Sequence, residues 1–296
     1  MITFKELTVD DKDTITKYTL NSPRRNCDLS FSNLCSWRFL YHTVFAEYEG
    51  FLVLKFWTGE ELAYMMPVGE GNLKKVLESM IEDSRKEGGD FCLLGVCPDM
   101  KKDLESVMPG KFTFTSDRNY TDYLYLRTDL ATLIGKKYQS KRNHINKFRK
   151  TYSYEYLPIT PAHIPECLRL EAEWCKVNNC SEQEGMGNER RAIIFALNNF
   201  EKLGLSGGLL HVDGKIVAFT FGTPINGDTF GVHVEKADTS VEGGYAMINY
   251  EFANRIPEQY TYINREEDLG IEGLRKAKLS YQPVILLEKS MACLNK

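Results

Sequence analysis

The 296-residue chain has no apolar run approaching the roughly eighteen residues that cross a bilayer as a helix. Its first residues, MITFKELTVDDKD, carry no apolar leader core. Those two absences set the expectation of a soluble, cytoplasmic protein. Paired C-x-x-C motifs are also missing, and the five histidines are scattered, so no metal site is expected. The eight cysteines then read as reduced thiols, with Cys92 and Cys97 as small hydrophobes flanking a strand. Neither a Walker A loop nor a dinucleotide G-x-G-x-x-G loop occurs, and no serine-nucleophile elbow is expected. There is no surplus of either charge: Lys+Arg is 37 against Asp+Glu 41, a formal net charge of -4. That balance argues against a dedicated nucleic-acid coat protein, while leaving room for a local basic patch.

What is present is ordinary globular material, 43% hydrophobic and 26% charged, arranged in one plan used twice. ITFKEL (2–7) alternates like a strand and leads into a helix capped by Thr8 or Asp10. YEYLPI (154–159) does the same, and Thr160-Pro161 supplies an N-cap followed by proline at the first helical position. Residues 51–57 and 62–68 read as a hairpin, as do 208–212 and 216–222 around Asp213-Gly214. Residues 228–235 add a further strand to the second half alone. Each half continues with a helix (72–87; 243–256), a strand (91–96; 260–264), a helix (98–108; 270–280) and a last strand (121–127; 283–288). Helices interleaved with a meander imply an α/β fold with mixed sheets.

The order of these elements resembles the GNAT acyltransferase fold, present here as two tandem GNAT-like domains. The halves would run 1–135 and 153–296, joined by a basic helix over 136–152. Three segments sharpen the resemblance: NYTDYLYLRTDLATLIGKKYQSKRNHINKFRKTY (119–152), GVHVEKADTSVEGGYAMINYEFANRI (231–256) and YINREEDLGIEGLRKAKLSYQP (262–283). Together they resemble the C-terminal catalytic domain of phosphatidylglycerol lysyltransferases, a family related to the Fem aminoacyltransferases. The resemblance implies transfer of an acyl or aminoacyl group to an amine or hydroxyl acceptor; the net charge of -4 and the loop 241–246 lean to acyl-CoA as the donor, with aminoacyl-tRNA, which the basic helix favours, as the alternative. Full lysyltransferases carry transmembrane helices ahead of this domain, and no such helix is read here, so the acceptor stays open. A tandem chain resembles an internal dimer, which sets the expectation of a monomer.

Three groups of residues could carry the chemistry. The first is the basic helix, where Lys137, Lys141, Arg142, His144, Lys147 and Arg149 stand with no acid between residues 136 and 150. Such a run attracts CoA phosphates, a tRNA arm or a membrane surface, unless it is only a solvated connector. The second is Val241-Glu242-Gly243-Gly244-Tyr245-Ala246, between a strand and a helix. In acetyl-CoA-dependent GNATs this junction reads Q/R-x-x-G-x-G/A and its backbone N–H groups hold a pyrophosphate. Gly244 and Ala246 fit that pattern and Val241 does not. The resemblance also implies donor contacts from His233 and Val234, on a strand that splays from its neighbour, and from Asn264.

The third group is the acid string Glu266-Glu267-Asp268 at the end of a strand. Amine acyl transfer needs a base, and a carboxylate with a raised pKa serves, so Asp268 and Glu267 are the candidate catalytic residues. Glu266 reads instead as a cap for the next helix. Glu171, Glu173 and Trp174 read as helix surface. Acceptor loops are expected in 21–48 and 176–190. The rival reading is a non-catalytic ligand- or nucleic-acid-binding module on a degenerate GNAT fold, which the departure at Val241 favours. If the second half holds the donor phosphates, Gly244→Asp should abolish donor binding. The matching change at Gly71, beside Glu70, should be nearly silent.

Overall fold

A computed structural model describes residues 1–180 and 184–296 of the chain; residues 181–183, inside the expected acceptor loop 176–190, lie outside it. The first half runs β1 (Lys5–Glu6), α1 (Lys12–Thr19), α2 (Phe31–Ser36), α3 (Arg38–Tyr41), β2 (Val44–Tyr48), β3 (Phe51–Thr58), β4 (Glu61–Met65) and β5 (Val68–Gly69). It continues with α4 (Leu73–Lys86), β6 (Cys92–Val96), α5 (Pro98–Val107) and β7 (Phe112–Ser116). Then come β8 (Asp122–Leu126), α6 (Arg127–Thr132) and the basic α7 (Gln139–Thr151). The second half runs β9 (Tyr154–Pro158), α8 (Ile164–Val177), α9 (Glu184–Asn198), β10 (Ser206–Val212), β11 (Lys215–Pro224) and β12 (Thr229–Ala237). It ends with α10 (Gly244–Ala253), β13 (Tyr262–Asn264), α11 (Glu272–Leu279), β14 (Ile285–Leu287) and β15 (Ser290–Leu294).

The local signals act as their chemistry dictates. Thr8 and Asp11 form a reciprocal capping box ahead of α1, and Thr160 and His163 form its counterpart ahead of α8, with Pro161 at the first position. Asp213 and Gly214 both take positive φ, as a two-residue hairpin requires. Val76, Leu77, Met80 and Ile81 bury one face of α4.

The two sheets are both mixed, in the orders β1-β2-β3-β4-β6-β15-β7, with β5 beside β3, and β14-β8-β13-β12-β11-β10-β9. Two expectations change here. Residues 121–127, expected to end the first half, form β8 and pair with β13 and β14 in the second sheet. In return β15, from the C-terminal end of the chain, pairs with β6 and β7 in the first. The halves therefore exchange a strand, and backbone pairing groups β8 with the second half rather than with residues 1–116. The first half's meander also has three strands. The short β2 had escaped notice because its apolar Phe45 and Ala46 are adjacent rather than alternating.

The main hydrophobic core runs across both halves, joining Phe45, Leu52 and Val76 to Leu170, Phe219 and Phe221. Helix α7 is not a free connector: Ile145 and Phe148 pack with Leu210, Val217 and Met247 of the second half. Cysteine chemistry departs from expectation as well. Cys293 stands opposite Cys92 across β15 and β6, with 4.1 Å between their Cα atoms, and the two form a disulfide. Cys175 and Cys180 form a second. The first pair is 201 residues apart in sequence, so nothing local announces it. Cys27, Cys35, Cys97 and Cys167 are free and buried. Among the described residues no helix is long and apolar enough to cross a membrane.

Gly243 and Gly244 differ in what they tolerate. Gly243 has φ of 85°, and a Cβ there would lie 2.9 Å from the His144 carbonyl oxygen of α7. Gly244 has ordinary helical φ, and its Cβ would meet only the Ala237 Cβ at 3.4 Å. Gly243→Ala is expected to cost about 1–3 kcal/mol in urea unfolding, and Gly244→Ala to stay within about 1 kcal/mol of wild type.

Candidate functional site

The acid string after β13 is bent by a side chain. Asn264 Oδ1 accepts the Glu266 N–H at 2.7 Å, and Glu266 takes a φ of 59°, uncommon for a residue other than glycine. The three consecutive carboxylates therefore part company, each meeting a different partner.

Asp268 turns inward and is fully buried. It accepts from Arg275 at 2.7 and 2.8 Å, from the Gly270 N–H at 2.9 Å and from the Tyr123 hydroxyl. Burial alone would raise its pKa, but Arg275, Tyr123 and Gly270 outweigh that and hold it well below the ordinary range. A carboxylate so saturated is a poor proton acceptor. The expected catalytic role does not suit this geometry, and Asp268 instead fastens β13 to α11.

Glu267 meets the opposite environment. Its carboxylate contacts the Lys289 ammonium, which also lies 2.8 Å from Asp122 and 3.0 Å from Asp28. The Cys27 thiol sits 3.4 Å from Asp122 and 3.6 Å from Glu267, and the Cys27 N–H donates to Asp122 at 2.8 Å. Burial pushes the Glu267 carboxyl up to about 7; Lys289 pulls down, while Asp122 and Asp28 push further up. Cys27, Asp122 and Glu267 have the convergence of a metal site, but the lysine ammonium occupies their midst and supplies the cation itself. Burial pushes the Cys27 thiol well up, so it is no ready nucleophile.

Glu266 faces the first half. One oxygen accepts from Asn33 at 2.7 Å and meets His233 Nδ1 at 2.8 Å. The other ring nitrogen of His233 lies 2.8 Å from the Thr223 hydroxyl and 3.1 Å from that of Ser30. Hydroxyl, imidazole and carboxylate follow one another as in a catalytic triad. Yet Ser30 and Thr223 are only 1% and 5% exposed and hydrogen-bond each other. The chain is a buried polar strut between the halves, and Glu266 belongs to it rather than to a helix cap. His233 reaches it because it is the extra residue of a β-bulge: Phe221 pairs with Val234 and Gly222 with Val232. Val234 itself is core.

Strand β12 pairs with β13 only over Thr229–Gly231 and parts from it beyond. Where they diverge, Glu235 holds Arg265 at 3.0 Å and Asn249 at 3.3 Å. Arg265 and Lys141 both lie against the Tyr281 ring, at 4.8 and 3.9 Å. Burial, with Arg265 adding to it, pulls Lys141 down to about 8. Asn249 Oδ1 and one Arg265 terminal nitrogen have no hydrogen-bond partner among the described residues. Asn264, by contrast, is saturated, donating to Asp122 and the Arg25 carbonyl at 2.8 Å each. It is a brace, not a donor contact.

The loop 241–246 offers fewer free N–H groups than the expected anion cradle. The Gly244 N–H already bonds the Val241 carbonyl at 3.1 Å. Glu242, within the loop, is ion-paired with Lys147 at 2.6 Å. Ala246 is buried, and the Tyr245 hydroxyl accepts from Trp174 at 2.8 Å. The expected control fails too: Gly71 has φ of 144° and its Cβ would lie 2.9 Å from the Glu49 carbonyl, so substitution there is strained.

The basic helix is compensated in part from elsewhere in the chain. Lys137 pairs with Asp129 at 3.1 Å and Arg149 with Glu251 at 3.8 Å. Arg142 donates to the Leu133 and Gly135 carbonyls, capping its own entry loop. His144 is exposed. Glu171, read as helix surface, is buried against Arg190 at 3.1 Å. Gly204-Leu205-Ser206-Gly207-Gly208 has the letters of a serine elbow, but Ser206 opens strand β10 and is not followed by a helix.

Sequence reasoning missed Cys27, Asp28, Asn33, Asp122, Thr223 and Lys289. Asp122 had one signal, as a lone charge in the apolar stretch NYTDYLYL; Lys289, beside Glu288, had none.

The sequence profile of the family described as phosphatidylglycerol lysyltransferase, C-terminal, matches residues 21–293. A conserved protein of unknown function from Bacteroides thetaiotaomicron is 73% identical over the whole of both chains, and its crystal structure superposes with a TM-score of 0.98. The C-terminal domain of a protein described as a lysylphosphatidylglycerol synthetase, from Agrobacterium fabrum, shares the fold at 13% identity and a TM-score of 0.70, covering 97% of this chain and 92% of that one. FemX shares it at 8% identity and 0.61, covering 98% and 97%. An uncharacterised protein of Mycoplasmoides gallisepticum is 25% identical over 175 residues, 57% of this chain; the match spans about half of that relative, 54%.

Removing the buried cation should leave three carboxylates facing one another. Lys289→Met is expected to destabilise the chain by about 3–5 kcal/mol in denaturant unfolding, far more than an exposed change such as Lys150→Met.

Proposed function

The chain belongs to the phosphatidylglycerol lysyltransferase C-terminal family, and from that membership we infer that it is an aminoacyltransferase working at the junction of its two halves. The observation that carries the reading is Glu267, a carboxyl pushed up to about 7 at the junction, where it is only 16% exposed. Such a group is half-ionised near neutrality. It is basic enough to take a proton from an attacking amine or hydroxyl. The acceptor attacks the ester carbonyl of the donor, its proton passes to Glu267, and the donor's oxygen leaves with the bonding pair. Lys289 keeps Glu267 in place and stabilises its ionised form. Asp268 and His233 position the elements around it.

An aminoacyl ester, as in aminoacyl-tRNA, is the donor the observations favour over acyl-CoA. Val241 stands where the CoA loop has Gln or Arg, and one of the loop's N–H groups is already bonded. What speaks for a donor arm in the second half is the divergence of β12 from β13. There Asn249 offers an acceptor and Arg265 a donor, fitting a group that presents both, such as a ribose hydroxyl or an amide.

The test is protein-dependent loss of ester-linked amino acid from a mixed aminoacyl-tRNA pool, run with phosphatidylglycerol vesicles or with a polyamine, beside CoA release from acetyl-CoA. Wild-type rate, corrected for spontaneous hydrolysis, should rise with pH through about 7. Glu267→Gln should lower it about 100-fold or more and flatten the profile, with KM little changed. A Glu267→Gln variant that keeps both rate and profile would overturn the assignment. CoA release without aminoacyl transfer would overturn the choice of donor.

A further inference from the structure

A cavity of about 440 Å³ opens where α2 and α3 of the first half meet α9 of the second. Its charged lining residues are two arginines, Arg38 and Arg191, and no carboxylate lines it among the described residues. The two guanidinium groups are held reciprocally. Arg38 lies 5.1 Å from the Phe195 ring of α9, and Arg191 lies 4.0 Å from the Phe39 ring of α3. Each cation thus lies against an aromatic ring of the other half while lining the cavity. Arg38 uses one of its N–H groups on the Leu7 carbonyl at 2.8 Å. Phe39, Phe195 and Ile194 supply apolar wall, and Asn198 a further polar group.

Two cations lining one cavity in a chain of net charge -4, with no acid among the described lining residues, make a local positive potential that the overall composition does not forecast. The size is that of a small-molecule site. We propose that this cavity binds a phosphate monoester carried on a flat or hydrocarbon body, the phosphate against Arg38 and Arg191 and the body against Phe39, Phe195 and Ile194. Charge decides between the two common anions. A phosphate monoester carries about -1.5 to -2 near neutrality and can balance both arginines, whereas a carboxylate balances one. Arginine's planar fork also suits phosphate oxygens in pairs. None of the cavity's lining residues belongs to the Glu267 cluster.

The experiment is calorimetric titration of the intact chain with phenyl phosphate, hexyl phosphate, benzoate and phenol, at low and high salt. Phenyl or hexyl phosphate should bind, and the stronger of the two tells whether the body is a ring or a chain. Benzoate should bind about 10-fold or more weakly, and phenol not measurably. High salt should weaken the phosphates. Arg191→Gln should lower phosphate-ester affinity about 10-fold or more, with partial recovery in Arg191→Lys. Glu267→Gln should bind like wild type, which separates this site from the proposed reaction. Should Arg191→Gln fail to fold, phenylglyoxal labelling of the unaltered chain reads the same contact: Arg38 and Arg191 should be protected by phenyl phosphate and not by phenol. Neither phosphate ester binding at millimolar concentration, unchanged affinity in Arg191→Gln, or benzoate matching phenyl phosphate would overturn the proposal.

Discussion

The Lys289–Asp122 ion pair sits where the two exchanged strands pass each other. Asp122 opens β8, the strand that leaves the first half for the second sheet, and Lys289 precedes β15, the strand that returns. Both side chains are buried, at 4% and 0% exposure, so neither charge can remain without the other. A slip of β8 or β15 by one residue would turn the charge to the opposite face and leave it unpaired in the core. The pair therefore fixes register in both sheets at once. Neither sheet is complete without a strand from the other half, and the continuous core running from Phe45 to Phe221 follows from the same exchange.

The reactive environment is a consequence of that crossing. Asp28 and Cys27 arrive from the turn before α2, Glu267 from the turn after β13, and all three pack on the Lys289–Asp122 pair. Three carboxylates share one ammonium, which leaves negative charge in a place with little water. Glu267 carries the penalty as a raised pKa. Its neighbour Asp268, one residue on, has two arginines and a tyrosine hydroxyl and stays ionised. The chemical difference between adjacent acids is set by which half of the molecule each one faces.

This also separates what could be read in the sequence from what could not. The capping threonines Thr8 and Thr160, the Asp213-Gly214 hairpin and the apolar face of α4 are decided within a few residues, and each was legible. The acid string 266–268 was equally visible, being local; the difference between Glu267 and Asp268 was not, because Lys289 and Arg275 settle it from different elements. The acid partners of the basic helix were hidden for the same reason. The helix contains no acid, but Asp129, Glu242 and Glu251 reach it from three other elements. In the 241–246 loop the glycine spacing was visible, while the Val241 carbonyl that consumes the Gly244 N–H was not. The strand exchange and the Cys92–Cys293 disulfide are pairings across most of the chain, and no window of sequence contains both partners.

Lys278 joins the junction to the diverging strands. This lysine of α11 is 8% exposed and donates to two backbone carbonyls, those of Arg265 and Glu267. Burial pulls its pKa down, and the acids Glu266 and Glu267 pull it back up. One buried cation thereby holds the backbone on both sides of Glu266, the residue in the strained left-handed conformation. Relaxing that turn would move the Arg265 guanidinium, which faces the gap between β12 and β13, together with the Glu267 carboxylate, which faces Lys289. The spacing between the strand gap and the Glu267 carboxyl is thus a property of one short turn, and it is held by hydrogen bonds to main-chain oxygen that no side-chain substitution at 265 or 267 would remove.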